Sequence, residues 1–252
     1  MNTIVDFPAL VFALSFIALW LSALVGAFFS KRWKPLAEDQ RNGFGVVQGA
    51  VLTLLGLLIG FTFSMAINRY EQRRNYEEAE ANAIGTEYIR LSLLPAPDAE
   101  RARGLLRTYL DKRVLFYTSS YGQPLQQINN DTAQLQNELW SAVQSRAGAQ
   151  ATAMVALTVS GMNDVLNAQG YTQAAWWNRI PLEAWFLLAV IGIGCNFLIG
   201  YGASRTSTLL IVFPLAVSVS FFLIADIDSP RRGLIRMRPQ NLMSLQQSLP
   251  AR

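Results

Sequence analysis

One run of side chains in this sequence could do more than fill space. Wound as a helix at about 100° per residue, Gln48, Leu55, Ile59, Thr62, Ala66, Arg69 and Arg73 share one side, and Gly45, Gly49, Gly56 and Gly60 occupy the arc beside it. Such a stripe suits the wall of a water-filled path. Leu55 and Ile59 would form an apolar constriction, and Arg69 and Arg73 would form positive rings at one mouth, which attract anions. Gly49, Gly56 and Gly60 would let neighbouring helices pack closely. A plainer reading also fits: Gln48 and Thr62 hydrogen-bond to adjacent helices, and the two arginines mark a membrane edge. Spacing alone leaves both open.

Other chemistries find little to work with. The 252 residues include no histidine, so the commonest general base, metal ligand and pH switch are missing. The single cysteine, Cys195, lies inside an apolar run, which allows no disulfide framework. No phosphate-binding glycine loop is present. Gly192-Ile193-Gly194-Cys195-Asn196-Phe197 lacks the third glycine of a dinucleotide fingerprint and sits in an apolar segment. The expectation is a protein that is not an enzyme and holds no cofactor or metal. A formal net charge of +4 is small, and on a membrane protein it reads as orientation signal rather than a nucleic-acid footprint.

The elements that carry the stripe follow from hydropathy. The chain is 52% hydrophobic and 15% charged, apolar for a soluble protein. Residues 7–29 hold no charge and precede Lys31-Arg32-Trp33-Lys34, the order of a retained span rather than of a signal peptide. Residues 44–67, 184–203 and 208–225 are further spans, each long enough for a hydrocarbon core about 30 Å thick. Trp176, Trp177 and Trp185 introduce the third span as interfacial aromatics, and the four residues 204–207 demand a hairpin between the third and fourth. None of the four contains Asp, Glu, Lys or Arg, which disfavours a proton-coupled carrier. Residues 43–94 contain no proline, so the second span is expected to continue unbroken into a charged stalk, a helix of roughly 75 Å.

The expected fold is all-α. Two membrane hairpins (1–68 and 182–228) flank a helical region (69–181), and a C-terminal segment (229–252) follows. Within the central region helices are expected over 98–119, 132–146 and 149–167, with a break at 121–124 and an interruption at Gly161. An even span count puts both termini and the helical region on one side. Arg69, Arg73, Arg74, Arg179, Arg231, Arg232, Arg236 and Arg238 crowd the span ends there, which makes that side cytoplasmic. Lys31 and Lys34 pull the other way.

The stalk carries Glu80, Asn82, Thr86 and Arg90 as polar groups that need partners on other elements, since Glu80 and Arg90 are too far apart to pair within one helix. Asp226 and Asp228, followed by Arg231 and Arg232, are expected either to pair with Arg90 or other stalk arginines or to sit beside a helix start at Ser229-Pro230, with serine as cap and proline in the first turn.

Three segments, Val47-Gln48-Gly49 through Asn68-Arg69-Tyr70, Glu80 through Arg90, and Ala225-Asp226-Ile227-Asp228-Ser229-Pro230-Arg231-Arg232-Gly233, together resemble a mainly bacterial membrane family described as bestrophin-like. The resemblance runs from the second span to Leu249. Bestrophins are pentameric, ligand-gated and mostly anion-selective channels with four spans, cytoplasmic termini, a large helical region between spans two and three, and a pore lined by the second span. The resemblance therefore implies a homo-oligomeric, pentameric channel for small anions such as chloride. Its setting would be the bacterial inner membrane, with lipid, small inorganic ions and its own copies as partners and no nucleic acid. The acidic calcium-binding cluster that bestrophins carry after the fourth span is reduced here to Asp226 and Asp228, too few oxygens for calcium. The competing expectation is a non-conducting membrane sensor or scaffold acting through its helical region.

Overall fold

The computed structural model describes residues 4–32, 38–119, 125–149, 152–202 and 208–250, and every regular element among them is helical. In chain order these are α1 (Pro8–Arg32), α2 (Glu38–Arg90), α3 (Ala96–Thr118), α4 (Leu125–Ala149), α5 (Ala153–Trp177), α6 (Leu182–Gly202), α7 (Leu209–Asp228) and α8 (Gln240–Ser248). Short 3-10 turns cover Ile4–Asp6 and Leu91–Leu93. Four stretches are long and apolar enough to cross a membrane: Pro8–Ser30, and segments within Arg41–Leu93, Ala153–Gly202 and Leu209–Asp228. A helix suits lipid because it satisfies its backbone hydrogen bonds within one segment. The chain is an integral membrane protein. The expected turn at 121–124, the connection 204–207 and Trp33-Lys34 lie outside the described residues.

The chain divides into two units, Met1–Tyr70 with Arg179–Arg236 and Glu71–Asn178 with Met237–Arg252. The helix α2 contributes to both.

In the first unit α1 packs against α6 and α7. The side chains of Leu19, Leu55, Leu188, Cys195, Val217 and Phe221 form the centre. Small residues bring α1 and α6 together. A Cβ on Gly26 would meet the Phe197 carbonyl oxygen and stand 2.9 Å from the Tyr201 nitrogen. One on Gly200 would meet the Ala23 carbonyl, 2.7 Å from its carbon. At this seam the Ser22 hydroxyl donates to the Ile193 carbonyl at 2.8 Å. Backbone approach of this kind is what holds helices together in lipid, where burial of apolar surface gives little net drive. The proline within α7, Pro214, does not end the helix; membrane helices tolerate proline because neighbours cover the freed carbonyls.

The second unit is held by a conventional core. Leu106, Tyr109, Leu110, Leu139, Met162 and Val165 are all at most 1% exposed. Phe116, Tyr117 and Trp176 form an aromatic cluster with ring centroids 4.9–5.4 Å apart. Here the helices are longer than the sequence pattern suggests. Leu125–Ala149 replaces the expected 132–146, because Leu125 and Ile128 join the core. Ala153–Trp177 replaces 149–167, opened by Thr152, whose hydroxyl accepts from the Val155 nitrogen at 3.3 Å. It runs straight through Gly161, which serves close packing and not interruption. Trp176, expected at a membrane interface, is 6% exposed inside this core.

The expected helix start at Ser229-Pro230 is a correction. Ser229 is instead the C-cap of α7, its nitrogen donating to the Ala225 carbonyl at 3.0 Å, and no helix resumes until Gln240 after Pro239. The reason is local: the Asp226 carboxylate collects the nitrogens of Leu234 and Ile235, both at 2.8 Å, which turns the chain back on the end of α7.

Candidate functional site

The membrane part of α2 has a covered side and an open side, and the covered side carries the polar stripe. Leu55 (2% exposed), Thr62 (6%) and Ala66 (0%) are buried by the chain's own helices. Leu55 packs among Leu188, Cys195 and Phe221, and Ala66 among Ile180, Ile224 and Ile227. The Thr62 hydroxyl donates back to the Leu58 carbonyl at 2.7 Å and so needs no water. Gln48 is half-buried beside Gly202 of α6, Ile59 bridges the two apolar clusters, and Arg69 keeps one buried guanidinium nitrogen without a hydrogen-bond partner. In the second unit, Arg73 is 1% exposed and donates through Nε to the Ala175 carbonyl at 3.3 Å. That carbonyl lies in the last turn of α5, where orphan acceptors and the helix dipole favour a cation. Side chains covered in this way do not face a lumen. Leu55, Thr62, Ala66 and Arg73, expected as a lining, are thus each covered by the chain's own helices.

The glycines on α2 lie on the uncovered side. None of the described residues comes within 4 Å of a Cβ built on Gly49, Gly56 or Gly60. They make no close helix contact among the described residues. Beside them the open side presents Thr53, Leu57 (53% exposed), Phe61 (66%), Ser64 and Asn68. The close-approach glycines, Gly26 and Gly200, went unread in the sequence. Their only signal is a four-residue rhythm of small residues, Ser22 to Gly26 and Gly192 to Asn196 to Gly200.

The acidic pair in the last turn of α7 has found other partners than the stalk. Asp228 accepts from Arg179 Nε at 2.8 Å and from the Ile180 nitrogen at 3.3 Å, and Arg179 Nη1 reaches Asp6 at 2.8 Å. One arginine thus ties the N-terminal turn, the entry to α6 and the end of α7. Arg232 lies over the Phe7 ring at 3.8 Å, a cation–π contact at the same place, and Arg231 is half-buried. Gly233 has φ of 125°, and a Cβ there would collide with the Asp226 carboxylate, 2.8 Å from its Cγ. Gly233→Ala is expected to cost about 1–3 kcal/mol from strained backbone alone, read as a lowered thermal midpoint in detergent. An unchanged midpoint would show that the turn is not held as described.

Along the stalk the polar residues divide. Glu80 and Arg113 of α3 form an ion pair with both side chains fully buried. Tyr117 and Thr172 add hydroxyl donors to the same carboxylate at 3.3 and 3.0 Å. Burial alone would pull the Arg113 pKa down, but the Glu80 charge outweighs it and the guanidinium is held more firmly protonated than usual. Burial pushes the phenols of Tyr109 and Tyr117 up, so both stay neutral. One turn before Glu80, Glu77 accepts from the Leu242 nitrogen at 2.9 Å and Asn241 Nδ2 at 2.7 Å, capping α8. Burial raises its pKa, and those hydrogen bonds oppose the rise. Asn82 and Thr86 are exposed and line a 490 Å³ groove between α2 and α8. Arg90 meets Asp164 of α5 at 3.9 Å, not Asp226 or Asp228. No group of three or more metal-ligating side chains occurs among the described residues.

Comparison with known proteins agrees with this architecture. The chain resembles a bacterial bestrophin homologue from Klebsiella pneumoniae. One crystal structure, of a point variant, shares 12% identity at a TM-score of 0.65, covering 94% of this chain and 96% of the other. A second, solved by zinc phasing, shares 14% identity at a TM-score of 0.62, covering 94% and 99%. At such identities the likeness establishes the fold. No curated protein matches the sequence. The family model for the Bestrophin-like domain matches residues 9–242, and the chain belongs to the bestrophin-like family.

Proposed function

We propose that copies of this chain assemble around an axis lined by the open side of α2, and that the assembly passes small anions such as chloride. The observation that carries the reading is the sidedness of α2. Its covered side is packed against the chain's own helices, while Ser64 and Asn68 stand exposed along a helix long and apolar enough to cross the membrane; the neighbouring exposed Thr53 hydroxyl donates to the Gly49 carbonyl at 2.9 Å. Polar side chains in a span ordinarily face other protein or a water-filled cavity, because lipid leaves them unsatisfied. Leu57 and Phe61 on the same side would form the apolar constriction that gates by dewetting. Gly49, Gly56 and Gly60 then sit where the next copy's helix comes close. No carboxylate occurs from Arg41 through Tyr70, which suits anions. Five copies is the number that the bestrophin resemblance implies, and the bacterial inner membrane with cytoplasmic termini is the setting it implies.

Purified protein in liposomes tests this. Under a salt gradient the reversal potential should follow chloride. Leu57→Ala should raise flux roughly tenfold, equivalent to about 1.4 kcal/mol off a dewetting barrier. Leu55→Ala, by contrast, should leave selectivity alone and cost about 2–5 kcal/mol of stability as a core cavity. Light scattering in detergent gives the subunit number. A second reading, a non-conducting sensor or scaffold, is favoured by the dry packing of Leu55, Thr62 and Ala66 against the chain's own helices. An assembled oligomer with no flux for any ion would establish it.

A further inference from the structure

Glu87 plays no part in the reading above. It is fully buried, and neither carboxylate oxygen has a hydrogen-bond partner. It projects from α2 onto α5 at Gly161, where any side chain would collide with its Oε2 and stand 2.6 Å from Arg90 Nη1. Only glycine leaves this notch open. Glu77 and Glu80 are also buried on α2, but each holds at least two donors. Glu87 holds none. The charges that act on it are Arg90, three residues further along α2, and Asp164 of α5, and Arg90 is directed at Asp164. A buried carboxylate without donors is strongly disfavoured, whereas a neutral carboxyl in the same place is tolerated. Burial accordingly pushes the Glu87 pKa up to about 8, with Arg90 opposing and Asp164 adding to the rise.

We propose that Glu87 is a proton-binding latch: the neutral carboxyl seats in the Gly161 notch and holds α5 against α2, and loss of the proton releases that contact. The ionised group turns to the nearest donor, Arg90, and competes with Asp164 for it. Because the folded pKa lies above the ordinary value of 4.5, the stabilisation is complete below that value and is lost as pH rises through about 8. Across that window the folding equilibrium of the second unit falls about tenfold per pH unit. The device does not depend on conduction, so it stands or falls apart from the channel reading.

The test uses the full chain in detergent, from about pH 5 to about pH 9, a range that brackets the transition. Amide exchange around Gly161 and thermal midpoints are compared for the wild type, Glu87→Gln and Asp164→Asn. The wild type should lose protection in α5 as pH rises, and Glu87→Gln, which cannot ionise, should keep it throughout. Asp164→Asn frees Arg90 for Glu87 and should move the midpoint down by about one pH unit. A Glu87→Gln protein with the same pH-dependent loss as wild type overturns the proposal. So does a Glu87 infrared carbonyl band, assigned by 13C labelling of glutamate, that is already absent near pH 6. That band is read on wild-type protein and decides the matter even if a variant fails to fold.

Discussion

Arg113→Ala is expected to lose about 3–5 kcal/mol of stability, because it strands the Glu80 carboxylate inside the protein with only two hydroxyl donors. The pair has no access to water: both side chains are fully buried, and the guanidinium lies 4.5 Å from the Phe116 ring centroid. The gain from the pair itself is small, since two desolvated charges recover little more than they cost. The damage comes from removing one of them. Glu80→Gln combined with Arg113→Met removes both charges and keeps the volume, and should recover most of the loss. Thermal and denaturant melts of the single and double variants in detergent measure this. A loss below about 1 kcal/mol for Arg113→Ala would mean that the pair is hydrated.

Gly200→Ala is expected to cost about 1–3 kcal/mol by overpacking, with Gly26→Ala close behind and Gly200→Leu worse. The Cβ meets backbone in both cases, the carbonyl of Ala23 or of Phe197, and backbone cannot swing aside as a side-chain tip can. α1 and α6 would have to separate along the whole seam. The matched control is Gly56→Ala, whose Cβ meets none of the described residues. It should stay within about 0.5 kcal/mol in subunit stability, so a change in oligomeric mass in that variant would report on the contact between copies. Equal thermal midpoints for Gly200→Ala and Gly56→Ala would refute the close seam.

The spans were legible because length and absence of charge are one-dimensional properties. A run such as 208–225 states its own environment, and the structure forms α7 over Leu209–Asp228. Helix ends were less legible. The pattern over 132–146 missed that Leu125 and Ile128 reach the core, since two apolar residues before a polar run carry no period of their own. Partners were not legible at all. Glu80 plainly needed one, but Arg113 lies 33 residues away on another helix, and among several arginines nothing local selects it. For Asp228 the local sequence offers stalk arginines or a helix start at Ser229-Pro230, and its partner is neither: Arg179, 49 residues back. Glu87 carries no signal in the sequence, because an isolated glutamate on a charged stalk has the pattern of a solvated one, and only Gly161 packed against it sets it apart.

The stripe of Gln48, Leu55, Ile59, Thr62, Ala66, Arg69 and Arg73 marks the boundary between the two kinds of information. Periodicity established that these residues share one side of α2 and that glycines lie on the next arc, since helical geometry depends only on residue number. It could not say which side the rest of the chain would cover. Both arcs are apolar enough to be buried, and the choice was made by Leu188, Phe221, Ile224 and Ile227 arriving from α6 and α7. Those contacts cover Leu55 and Ala66 and leave Thr53, Leu57, Phe61, Ser64 and Asn68 open. The sequence by itself determined an all-helical chain with four apolar spans; only tertiary packing decided which face of the second one remains available to other molecules, because burial depends on what arrives from elsewhere in the chain.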